Sequence, residues 1–162
     1  METDDITSAE EFTRWCTGLA PYAFEEVVAE LIQQTGKDTE VTPRSGDGGV
    51  DVIVYEVSSG SSSYSSDVDT LVEVKQKSGK YSTVDATPLE KLVEIAPEYD
   101  PNRLMIVTTA KFGGPVTEKA DKIDSYDVEL VHTDELYEKG SEELISRFLN
   151  EYESHPGRKN WW

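Results

Sequence analysis

Two valine-rich runs separated by a serine-rich gap constrain this chain more than any other feature. Val50 to Val57 and Leu71 to Gln76 both read as strands, rich in valine and bounded by glycine, serine and aspartate. The segment between them, Ser58 to Ser66, has no apolar run to bury and is expected to form a solvated hairpin tip. A tip centred near residue 62 sets Asp51 roughly opposite residues 73 to 75. Side chains alternate along a strand, so Glu73 and Lys75 share one face while Val72, Val74 and Gln76 share the other. Asp51, Glu73 and Lys75 can therefore converge.

Two carboxylates and a lysine on one sheet face suit a particular chemistry. Paired carboxylates bind a hard divalent cation such as Mg²⁺, which keeps several waters and takes one or two carboxylates from the protein. The ammonium can orient an attacking water or offset phosphate charge. This combination suits phosphodiester cleavage, in which charge builds on the phosphoryl oxygens and water must be made a better nucleophile. The same spacing also fits a plain hairpin with a polar face and a surface ion pair.

The glycine turn before the hairpin adds specificity. Arg44-Ser-Gly-Asp-Gly-Gly-Val-Asp51, then Glu73-Val-Lys75-Gln76, resembles the PD-(D/E)XK nuclease signature, in particular its Mrr-like branch of restriction endonucleases. The resemblance runs from about Pro21 to Leu136. It implies an α/β three-layer fold with a mixed central sheet, and a Mg²⁺-dependent DNA endonuclease in which Mn²⁺ can substitute. Asp51, rather than Asp47, and Glu73 would hold the metal with the backbone carbonyl of Val74, and Lys75 would position the attacking water. Glu73 stands where members near Mrr often have glutamine. The family's Phe-Glu pair on the first core helix matches Phe24-Glu25, which makes Glu25 an auxiliary catalytic carboxylate.

Composition bounds the rest. With 162 residues the chain is long enough for one domain with a proper core, read here as residues 1–154, with 1–20 as an N-terminal helical extension and 155–162 as a tail. The formal charge is −18, from 33 acidic and 15 basic residues. That is paradoxical for a DNA-binding enzyme, whose footprint is normally basic. Concentrated salt resolves the paradox, since the screening length falls to about 3 Å at 1 M, and the composition is read as halophilic. Cys16 is the sole cysteine, which excludes an intramolecular disulfide and fits a reducing cytoplasm. The acidic N-terminus is not that of a signal peptide, and no apolar run spans a bilayer. His132 and His155 lack metal spacing, and neither a GxGxxG nor a Walker loop occurs, so zinc hydrolysis and a nucleotide cofactor are not expected.

Along the chain, Thr7 or Ser8 can cap a first helix carrying Phe12, Trp15 and Leu19. Pro21 starts a second helix that Gly36 ends, with Phe24, Val27, Val28, Leu31 and Ile32 as a buried stripe. Glu25 lies at the margin of that stripe. Thr39 to Thr42 reads as a short strand. Thr83 to Ala96 holds a third helix, capped by Thr87, and Leu104 to Val107 is a fully apolar central strand, so strand, helix and strand form a parallel crossover. A helix over Val116–Ile123, a strand over Val128–Val131, a short helix capped by Thr133 and a last helix from Ser141 complete the order. Arg44, Gln76, Lys77, Lys80 and Lys111 are the candidate DNA contacts. Thr108 and Thr109 can touch the DNA backbone or make local turn bonds. A Holliday-junction resolvase-like nuclease, acting as a homodimer, and a non-catalytic nucleic-acid or protein-binding module are the rival functions.

Overall fold

The computed structural model describes residues 6–42, 50–56, 67–79, 81–140, 145 and 148–150. Two helices come first. Ser8 caps α1 (Ala9–Gly18), its hydroxyl accepting from the Glu11 amide at 3.2 Å. Pro21 occupies the first turn of α2 (Pro21–Gln33), and Gly36 beyond it has φ 97°, a conformation that glycine adopts without the Cβ penalty.

The sheet has the order β1-β2-β3-β5-β7. β1 (Asp38–Val41), β2 (Val52–Tyr55) and β3 (Val68–Lys75) pair antiparallel, while β3, β5 (Arg103–Thr108) and β7 (Asp127–His132) pair parallel. In the β2–β3 hairpin Val52 pairs with Val72 and Ile53 with Leu71, which centres the turn at residue 62 as its composition predicts. The tip itself, like the glycine turn over 43–49, lies outside the described residues. Each parallel pair is joined by a helix, α3 (Thr87–Tyr99) between β3 and β5 and α4 (Gly114–Lys122) between β5 and β7.

Alternation along the strands sorts the core into two layers. Val52, Val54, Val72, Val74, Val107 and Val131 face α1, α2 and α5 (Thr133–Lys139). Val50, Ile53, Leu71, Leu104 and Ile106 face α3 and α4. The result is helices, mixed sheet and helices, the expected three-layer α/β fold. Helix α1 belongs to the first layer: Phe12, Trp15 and Cys16 are buried there, and Thr13 joins α1 to α5 through hydrogen bonds with Thr133 and Asp134. Among the described residues, no helix is long and apolar enough to cross a membrane.

Several local expectations are corrected. Thr83 and Val84 are not helical; they form β4, paired parallel with β6 (Lys111–Phe112) in a separate two-stranded sheet. Thr87 lies inside α3 instead of capping it: Ala86 is the N-cap residue and offers no side-chain cap bond, while the Asp85 carboxylate accepts from the Thr87 amide at 2.9 Å in a local turn. His132, rather than Thr133, caps α5, its Nδ1 accepting from the Asp134 amide at 3.1 Å while Glu135 reaches back in a capping box. Val128–Val131 lies on an edge strand in which only Val131 is buried. The last helix falls partly outside the described residues, although Ile145, Phe148 and Leu149 are buried in the first layer.

Candidate active site

The hairpin and the parallel crossover meet at one end of β3. Asp51 sits just before β2, where its amide donates to the Val72 carbonyl at 2.9 Å and its Oδ2 accepts from the Val74 amide at 2.7 Å. These two bonds fix the aspartate beside the end of β3. Glu73 and Lys75 lie two residues apart on the α3 side of that strand, with Lys75 Nζ 3.3 Å from Glu73 Oε1. Glu25, from α2 in the opposite layer, hydrogen-bonds the Asp51 side chain, its carboxyl supplying the shared proton. Asp51, Glu73, Lys75 and Glu25 are thus brought together from three elements.

The electrostatics of this cluster are those of charges short of donors. Glu73 is 5% exposed, and burial followed by the charge of Asp51 pushes its pKa up to about 7, against the pull of Lys75 and Lys91. Burial likewise raises Asp51, opposed by its bond from Val74, by the charge of Lys75, by Glu25 and by Lys91. Among the described residues Glu73 Oε2 is buried with no hydrogen-bond partner. An anionic oxygen left so is costly unless a cation completes it.

That orphaned oxygen is the test of fit for a divalent ion, and the donor set passes it. Both carboxylates offer hard oxygen ligands. No group of three or more His, Cys, Asp and Glu side chains gathers into a metal cage among the described residues. A pair of carboxylates suits a cation that retains water better than one needing a full protein cage.

The remaining candidates divide. Gln76 leaves the strand on the other side, where its amide donates to the carbonyls of Cys16 at 2.7 Å, Thr17 at 3.3 Å and Leu19 at 2.6 Å. It closes the C-terminal end of α1, where helical carbonyls lack partners. Lys77 and Lys111 are exposed and meet at the β4–β6 sheet: Lys77 Nζ donates to the Thr83 carbonyl at 2.9 Å, and Thr83 pairs with Lys111. Thr108 and Thr109 are 0% and 8% exposed; Thr108 Oγ1 accepts one local bond from the Ala110 amide at 3.0 Å, but its main bond crosses to the end of β3, where it donates to the Lys75 carbonyl at 2.7 Å. Arg44 and Lys80 lie outside the described residues. Lys91, on the exposed side of α3, was missed by the sequence reading although its charge reaches both Asp51 and Glu73. An isolated helical lysine carries no motif, and only the packing of α3 against β3 brings it near.

Residues 17–139, which span all four clustered side chains, match the family model for the Mrr catalytic domain, described as restriction endonuclease. The chain belongs to the Mrr family of restriction-endonuclease catalytic domains. No curated relative matches the sequence. The solved structure of the MspJI restriction endonuclease in complex with a 27-mer oligonucleotide is similar, with a TM-score of 0.56 at 20% identity over 90% of this chain and 35% of that one. At that identity the likeness shows the restriction-endonuclease-like fold, and this Mrr-family chain spans about a third of that enzyme. The family generally uses divalent metal ions.

Proposed function

We propose that this chain is a Mg²⁺-dependent endodeoxyribonuclease, with Mn²⁺ able to substitute. One observation carries the reading: a buried Glu73 carboxylate, with one oxygen on Lys75 and the other unpartnered among the described residues, stands beside the half-buried Asp51 carboxylate at the end of a parallel strand. Asp51 and Glu73, with the Val74 carbonyl, would hold the ion. The cation, when bound, would lower the pKa of water and neutralise charge on the phosphoryl oxygens.

The protein's own residues supply position and charge. The Val74 amide holds Asp51 in place and so sets the separation of the two carboxylates. Lys75 keeps one contact to Glu73, which leaves other ammonium donors for an attacking water or a phosphate oxygen. Glu25 acts through Asp51, as an auxiliary carboxylate at the rim. Lys77 and Lys111 offer positive charge to the DNA backbone, where a chain of net charge −18 otherwise repels it. The 27-mer oligonucleotide bound in the MspJI structure supports nucleic acid as the substrate.

The test is incubation of supercoiled, linear and branched DNA with the protein at molar salt, with and without Mg²⁺. Mg²⁺-dependent cutting of the first two is expected. Preference for branched DNA would move the assignment to a resolvase-like nuclease, and no cutting with either Mg²⁺ or Mn²⁺ would leave a binding module.

A further inference from the structure

Three consecutive residues at the end of β3 are clamped by three different partners. The Lys75 carbonyl accepts from Thr108 Oγ1 at 2.7 Å and from the Thr109 amide at 3.4 Å. Gln76 is bound to the end of α1. At Lys77 the Thr109 hydroxyl both accepts from the amide and donates to the carbonyl, each at 2.9 Å. One hydroxyl can do both, being a single donor with acceptor lone pairs. Thr109 is itself held from behind, since His132 Nε2 donates to its carbonyl at 3.2 Å while His132 Nδ1 is occupied by the Asp134 amide.

Lys77 has left the ladder, so among the described residues no strand neighbour sets its backbone. Its direction depends on one buried hydroxyl. Its ammonium uses one donor on the Thr83 carbonyl, beside exposed Lys111, and has further donors for a ligand. In extended chain Lys75 and Lys77 lie ~6.6 Å apart, which sets a second cation one short step from the carboxylate cluster.

We propose that Thr109 is a positioning residue for the nucleic-acid backbone: by gripping Lys77 it holds a phosphate contact in line with the candidate active site. This rests on the nuclease reading above and names the residue that sets the path of the strand away from the cut. A threonine used only to close a turn would affect folding alone. One that aims Lys77 affects phosphate recognition as well.

The experiment is binding of a duplex oligonucleotide without divalent cation, across a range of salt, with thermal melting run in parallel. Each phosphate neutralised adds about 0.9 to the slope of log affinity against log salt. Lys77→Ala should reduce the slope by about one unit, and Thr109→Val should reduce it by about the same amount. The double variant should lose no more than either single one, and Thr109→Ser, which keeps the hydroxyl, should restore the native slope. A Thr109→Val protein that melts lower but keeps the native slope would overturn the proposal. Should that variant not fold, the Lys77 amide decides: slow hydrogen exchange in the native protein and in Thr109→Ser is expected, and free exchange overturns the clamp. If the native protein binds no duplex at all, the nuclease reading falls too; if it binds and only the slope is unmoved, this proposal alone falls.

Discussion

Strand β3 carries acidic residues near both ends, and they live under opposite conditions. At its start, Asp69 is surrounded by donors: Thr70 Oγ1 at 2.8 Å and Lys37 Nζ at 3.2 Å on one oxygen, Asn102 Nδ2 at 3.2 Å on the other. Burial raises its pKa, but these bonds and the Lys37 charge more than offset that, and the carboxyl ends below its ordinary range. Four residues on, roughly 13 Å along the strand, Glu73 has one lysine, a neighbouring aspartate and an oxygen with no donor, and its pKa rises to about 7. A carboxylate supplied with donors holds a fold together. One left without them is poised to take up a cation.

Breaking the second cluster should have the largest effect. Asp51→Ala and Lys75→Ala are each expected to lower DNA cleavage by on the order of 10³-fold or more, the scale of several kcal/mol of charge stabilisation, while circular dichroism stays native. Cleavage retained by both variants would remove the mechanism.

Acidity should separate the two ends next. The raised pKa of Glu73 means that this group's contribution to stability is complete below its usual 4.5 and is lost as pH rises through about 7. Without divalent cation, melting should therefore weaken across that window, by at most ~3 kcal/mol. Asp69 works the other way, its contribution being present above its ordinary pKa and lost in acid. Glu73→Gln should flatten the decline between 4.5 and 7 and leave the acid limb unchanged.

Metal should act on one end only. At a hundredfold excess over its dissociation constant, Mg²⁺ should stabilise the native protein by about 2.7 kcal/mol and release protons as it binds. Asp51→Asn should lose that gain in a thermal melt and Asp69→Asn should keep it. The smallest effect belongs to Asp69→Asn itself, which should cost about 1 kcal/mol for weakened hydrogen bonds and leave cleavage unchanged. A cleavage defect in that variant would erase the distinction between the two clusters.

Much of this was readable beforehand, for reasons that are local. The hairpin centre followed from a segment without an apolar run, and the shared face of Glu73 and Lys75 followed from the two-residue period of a strand. The place of Glu25 at the rim followed from 100° steps along α2. What escaped was decided across distance. Gln76 looks like one more polar residue after a strand, and only the arrival of α1, 57 to 60 positions away in sequence, gives its amide three carbonyls to bind. The two-residue strands β4 and β6 are too short for any periodicity, and each exists only because the other lies beside it.

The amino-acid sequence by itself determined the order of the longer elements, the register of the hairpin and which charged residues share its face, because those depend on period, turn chemistry and short spacing. Tertiary structure alone decided that Glu73 would be buried with an oxygen unpartnered, that Lys91 would add its charge, and that Thr109 would hold Lys77. Burial and hydrogen-bond supply are properties of what packs around a group, and no stretch of chain carries its own surroundings.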